Sequence, residues 1–242
     1  MNRIRCVARR ELRAYFNSPI AYVFLLVFVG TAMFSFFNLN AFFARDQADL
    51  RALFEAIPLL ALLLVPALTM RLWAEEEKQG TIEVLLTLPA GDFELVAGKF
   101  LASWGLLGAG LALTLPLPLI LSLSGAGNFD WGPIWGGYVG ALLLGAAYLA
   151  VGQFISALTE NQILAFILTL VTCVVLYGVG TEAFSGLFSD RTGSALRALG
   201  TGSRFESISR GVIDLRDLLY YVSLTSFFLL LSIAALRSKR WA

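Results

Sequence analysis

The chain has 242 residues, 58% hydrophobic and 14% charged, with a formal net charge of +1 and a mean hydropathy of +0.76. Soluble domains carry about 25% charged residues, so this composition belongs to the membrane class. The absence of histidine excludes a Ser–His triad, a zincin site and a haem-ligating histidine.

From the N-terminus, Ile4, Val7, Ala8, Leu12, Tyr15 and Phe16 share one helical face, and Arg3, Arg5, Arg9, Arg10 and Arg13 take the other. This predicts a basic amphipathic helix lying on an anionic membrane surface. Asn17-Ser18-Pro19 breaks it: Ser18 can cap the next helix and Pro19 can open it. Cys6 and Cys173 lie far apart, one in this basic segment and one in an apolar run. Both read as small buried hydrophobes with no disulfide between them.

Six apolar runs each come near the ~20 residues that a bilayer core requires. They are Ile20–Leu39, Phe54–Trp73, Phe100–Leu123, Ile134–Leu158, Ile163–Val179 and Leu218–Leu236. The fifth is short, or extends toward Phe184. The first exceeds the h-region of a signal peptide and is followed by no A-x-A site, so it reads as a retained anchor. At its outer end Asn38 and Asn40 stand among Phe34, Phe36, Phe37, Phe42 and Phe43, the composition of an interfacial aromatic belt or of a surface facing an apolar substrate. Pro58, Pro66, Pro116 and Pro118 predict kinks in spans two and three. Gly136, Gly140, Ala141 and Gly145 give span four a small-residue stripe for close helix packing, within one bundle in preference to a dimer seam. Full charges are almost absent from the spans, which argues against a proton-coupled carrier.

Between spans two and three lies Trp73–Pro89, WAEEEKQGTIEVLLTLP. Arg71 and Trp73 mark the end of span two, with the indole at headgroup level. Glu75, Glu76 and Glu77 follow in water, and Gly80 permits a turn. Thr81 is placed to cap a short helix whose apolar face is Ile82, Leu85 and Leu86 and whose end is Pro89. That face must be covered, and the flanking acids argue against an anionic lipid surface. Residue chemistry leaves two covers open, the bundle itself or a partner. Beyond span five, Phe205, Ile208, Val212 and Leu215 alternate with Arg204, Glu206, Arg210 and Asp214, which predicts a short external amphipathic helix, the alternative being an ordinary surface loop.

The positive-inside rule sets the orientation. Arginines crowd the N-terminus, Arg237, Lys239 and Arg240 the C-terminus, and Arg71, Lys78 and Lys99 the second loop. Both termini and that loop are therefore expected in the cytoplasm. Arg191, Arg197, Arg204, Arg210 and Arg216 in the segment before span six run against the rule, but they are sparser than the terminal clusters.

The pattern E-E-x-x-G-T-x-E-x-L-L-x-x-P between two spans resembles the ABC-2 type permeases of ATP-binding-cassette transporters. RREL with YFNSPIAYVF at the start, RFESISRGVIDLRDLLYYVSLT before the last span and the SKRW end are similar to the gliding-motility-associated permease subfamily in particular. The resemblance implies an all-α polytopic membrane protein: one transmembrane domain over residues 1–242 with six transmembrane helices. Residues 1–19 would be an amphipathic connecting helix, 74–99 a cytoplasmic loop with a coupling helix, and 180–217 an external segment with short helices. It assigns docking on a cytosolic ATPase subunit to Glu75, Glu76, Gly80, Thr81, Glu83, Leu85 and Leu86, with a minor second contact at Thr159–Gln162. It implies export through a bacterial inner membrane by two such permeases, identical or not, with two ATPases. The alternative it carries is a mechanical subunit of a motility or envelope complex that moves no solute. The chain has no G-x-x-x-x-G-K-[ST], so no catalytic residue, metal site or cofactor is expected in it, and ATP with its magnesium would belong to the partner. No nucleic-acid partner is expected.

Overall fold

The computed structural model describes residues 3–39, 50–81, 91–123, 130–181, 184, 190–211 and 214–240. Its elements are helices, in the order α1 (Arg3–Asn17), α2 (Pro19–Phe34), α3 (Arg51–Thr69), α4 (Ala74–Lys78), α5 (Asp92–Thr114), α6 (Pro116–Leu123), α7 (Trp131–Leu158), α8 (Gln162–Val179), α9 (Asp190–Leu199), α10 (Thr201–Ser209) and α11 (Leu215–Arg240). Six helical stretches are long and apolar enough to cross a membrane: Pro19–Phe37, Leu53–Lys78, Asp92–Leu123, Trp131–Leu158, Gln162–Val179 and Leu215–Lys239. The protein is a polytopic all-α membrane protein with the six spans expected.

Span four is the central post. Two thirds of its apolar window is buried, against 17% for spans five and six. Its small residues explain this. A Cβ on Gly137 would lie 2.5 Å from the Phe54 ring, on Gly145 2.1 Å from Leu107 and on Gly152 2.1 Å from Thr69 Oγ1. Spans two and three therefore approach closer than any side chain on span four would allow, and the stripe is spent inside one bundle. Span five ends at Val179, where Gly180 closes the helix, and does not continue to Phe184 as one helix. Its N-terminus is capped by Asn161, whose side chain accepts from Ile163 N–H at 2.9 Å.

The proline break in span three is stitched across the bundle. Leu115 leaves the helix and Pro116 opens α6. Just before it, Thr114 Oγ1 donates to Leu111 O (2.7 Å) and lies 3.0 Å from Tyr138 Oη on span four. Near the start of the chain, Ser18 Oγ accepts from Ile20 N–H at 3.1 Å and Pro19 opens α2, as the residue order implies.

Several expectations are corrected. The apolar face of α1 does not simply rest in lipid; it packs on span three. A Cβ on Gly98 would sit 2.6 Å from Val7, and Tyr15 Oη lies 3.0 Å from Ser103 Oγ. Small residues on span three open a groove there, and a packed helix face satisfies the same apolar stripe that lipid would. Phe16 falls outside that face and is exposed, edge-on to Tyr22. Cys6 is exposed, not buried, because it lies among the arginines; Cys173 is buried as expected. Trp73 is fully buried in the bundle, and so is Phe36 within the expected aromatic belt. Asn40, Phe42 and Phe43 lie outside the described residues.

The short helix expected after span five also differs. It runs only from Thr201 to Ser209 and ends in a turn where Gly211 has φ +88°. Leu215 instead opens span six and is exposed, while Val212 lies outside the described residues. Phe205 and Ile208 are buried against the glycines of span four: a Cβ on Gly136 would meet Ile208 O at 2.5 Å. Arg204, one of the arginines that oppose the orientation rule, is used internally. It pairs with Asp217 at 2.7 Å, donates to Ala198 O at 2.7 Å and stacks 4.3 Å over the Tyr220 ring.

Candidate functional site

The second loop begins where span two stops being a regular helix. After Thr69, residues 70–73 turn and α4 restarts at Ala74. The backbone N–H groups of Trp73 and Ala74 would be orphaned at this restart. Ser156 of span four takes both: its Oγ accepts at 3.1 and 3.2 Å and donates to Met70 O at 3.3 Å. One turn before, Gln153 Nε2 donates to Val96 O at 3.0 Å, tying span four to the start of span three.

Lys99 is the hub of the site. Only 2% of its side chain is exposed. Its Nζ donates to Leu72 O and to Glu76 Oε1, both at 2.8 Å, lies 3.6 Å from Glu11 Oε1 and sits 4.8 Å over the Trp73 ring. Arg10 closes the cluster at 2.8 Å from Glu11 and 4.0 Å from Glu76. A buried ammonium is tolerated only when its donors are matched, and here carbonyl, carboxylates and indole do so. Beside it, burial pushes the Tyr15 phenol up; the Ser103 hydrogen bond lowers it and the Glu11 charge adds to the rise. Tyr15 therefore stays neutral.

Further pairs fasten the same end of the bundle. Glu77 holds Lys239, Asp92 lies 3.4 Å from Arg237, and Glu94 lies 3.7 Å from Arg3. Both termini therefore meet the loop at one end. The sequence-predicted residues fall as follows. Glu76 is turned inward to Lys99, while Glu75 is half-buried and accepts from Gln79 Nε2 at 3.3 Å. Gly80 has φ +66°, and Gly80 N–H to Glu77 O (3.0 Å) with Thr81 N–H to Glu76 O (2.9 Å) makes a Schellman closure of α4. The Thr81 hydroxyl also donates back to Glu76 O at 3.2 Å, so it helps end α4. Glu83, Leu85 and Leu86 lie outside the described residues. Glu11, Lys99, Gln153 and Ser156 are the residues that sequence reasoning missed. The available signal was a polar side chain within a turn or two of a span's end, where burial demands a partner.

At the opposite end of the bundle a cavity of about 640 Å³ opens between spans two and five and α10. Glu55, Tyr177, Ser203, Glu206 and Arg210 line it. Glu55 is a full charge on α3 in the first turns of span two, an exception to the apolar character expected of the spans.

No curated protein matches the chain. Residues 7–240 match the family described as ABC-2 family transporter protein, which covers all six spans and the loop between spans two and three. The chain therefore belongs to the ABC-2 transporter family, whose members are membrane transport components that normally work with an ABC ATPase partner.

Proposed function

We propose that this chain is the permease subunit of an ATP-driven exporter and that its second loop is the coupling element docked on a separate cytosolic ATPase. The observation that carries this reading is the wiring of the loop. Through Lys99, Glu76, Glu77 and Ser156 it is bonded to α1 and to spans three, four and six at once. A push on residues 74–81 is thereby delivered to most of the bundle, as a coupling element requires. The chain has no phosphate-binding loop of its own, so the push must come from another polypeptide. Because Glu76 and Glu77 are engaged inside the chain, the docking surface falls to Glu75, Glu83, Leu85 and Leu86, with Gly80 and Thr81 setting the turn. A second permease, identical or not, completes the assembly. The resemblance of RREL, YFNSPIAYVF and the SKRW end to gliding-motility permeases is what carries the second reading, a mechanical subunit that moves no solute.

Two experiments test this. The ATPase subunit should co-purify with the wild-type chain, and Leu85→Asp or Glu75→Lys should cut recovery at least about tenfold, the equivalent of ~1.4 kcal/mol, with the bundle still folded. Undiminished recovery with both variants would remove the loop as the docking element. For orientation, exposed Cys6 is a native reporter. In intact cells an impermeant thiol reagent should label a cysteine introduced at Ser209 and spare Cys6, which reacts only after lysis. Labelling of Cys6 from outside would invert the topology.

A further inference from the structure

Two voids meet beside span two, and together they have the form of a phospholipid site. Facing the lipid, spans one and two leave an apolar groove of about 260 Å³ lined by Val23, Phe24, Val27, Leu64 and Leu68. It extends from Val27 to Pro19, about 12 Å of helix rise. At its loop end it adjoins a polar cavity of about 300 Å³ lined by Glu11, Tyr15, Glu75, Glu76 and Lys99. Ile20 and Arg71 line both.

The charges around this composite void are specific. Lys99 is already matched within the cluster. Arg71 is exposed and pairs with no carboxylate among the described residues. Glu76 gives Oε1 to Lys99, and Glu75, half-buried at the polar cavity, has only the neutral amide of Gln79. An open guanidinium suits a phosphate, and a half-buried carboxylate held only by an amide suits an ammonium. A choline headgroup has no N–H to give, and a phosphoglycerol headgroup brings no cation to two carboxylates. An apolar groove, a phosphate site and an ammonium site in that order match one molecule. We propose that an ethanolamine phospholipid, from the leaflet on the side of the two termini, occupies this site, its chain in the groove, its phosphate on Arg71 and its ammonium on Glu75 and Glu76. The assignment holds whichever side is cytosolic; it shares Glu75 with the proposed docking surface, whereas Arg71 and Val23 belong to the lipid site alone.

The test places the purified chain in phosphatidylcholine nanodiscs containing added phosphatidylethanolamine, added phosphatidylglycerol or neither, and reads lipid adducts by native mass spectrometry alongside the unfolding midpoint. Only phosphatidylethanolamine should give a persistent adduct and raise the midpoint. Arg71→Ala and Glu75→Gln should each lower retention on the order of tenfold. Val23→Trp, which fills the groove, should abolish it. Unfolding midpoints in plain phosphatidylcholine identify which variants are folded. Equal retention of phosphatidylglycerol would overturn the ammonium site. The same midpoint shift from soluble glycerophosphoethanolamine would overturn the groove. Wild-type retention in the folded variants would overturn the proposal as a whole.

Discussion

Lys99→Met is expected to cost the folded bundle about 3–5 kcal/mol, the usual penalty for removing one partner of a buried ion cluster. The substitution leaves the side chain's volume in place but strips the cation from Glu76 and Glu11, from the Leu72 carbonyl and from the Trp73 ring. Arg10 can hold Glu11 at 2.8 Å, but at 4.0 Å it reaches Glu76 poorly. The destabilisation is therefore centred on Glu76, and the double variant Lys99→Met with Glu76→Met should recover more than half of the loss, because an apolar pair of similar volume removes the buried charge altogether. Lys78→Met, at an exposed position on the same loop, should stay within about 0.5 kcal/mol. Denaturant unfolding in detergent micelles measures these three effects, with Glu76→Met alone added to close the double-mutant cycle. Equal effects at Lys99 and Lys78 would show that Lys99 is no hub.

The second large effect is expected at the opposite end. Gly200→Ala should destabilise by about 1–3 kcal/mol or more and loosen α10, whereas Gly178→Ala, two residues before Gly180, should be neutral or slightly stabilising. A Cβ on Gly200 would lie 2.1 Å from the Cα and N of Gly180, while one on Gly178 meets nothing within 4 Å. The contact is backbone on backbone, so no rotamer change relieves it. The end of span five and the start of α10 must move apart, and with them the Thr201 contacts, Tyr148 at 2.9 Å and Tyr221 at 2.8 Å. Hydrogen exchange across residues 201–209 and the unfolding midpoint read the result. Protection unchanged in Gly200→Ala would mean that the two helix ends are not packed as described.

The spans were legible because a bilayer imposes a length on apolar sequence that no other environment does. The predicted Ile134–Leu158 and the observed Trp131–Leu158 differ only where Asp130 caps the helix, its side chain accepting from Gly132 N–H. Ser18 and Pro19 were legible for a similar reason, since capping is a matter of neighbours in the chain. Trp73 was not. An indole after an apolar run has the composition of an interfacial anchor, and only the approach of Lys99 and Ser156 from other spans draws it inside. Leu215 continued the spacing of Phe205 and Ile208, but Gly211 with its positive φ breaks the helix between them. Periodicity alone cannot detect that break. The sequence places all three glutamates in water, and the fold divides them: Glu76 to Lys99, Glu77 to Lys239, Glu75 toward the polar cavity.

By itself, then, the sequence determined the membrane class, the six spans, the start of span one and the position of the polar loop, all properties of residues and their near neighbours. Only the tertiary structure decided which of the loop's charges are spent within the protein and which remain free to meet a lipid or a partner. The physical reason is desolvation. Whether a charge is costly or satisfied depends on groups brought together from residues 11, 76 and 99, and from 77 and 239, and no local pattern encodes that meeting.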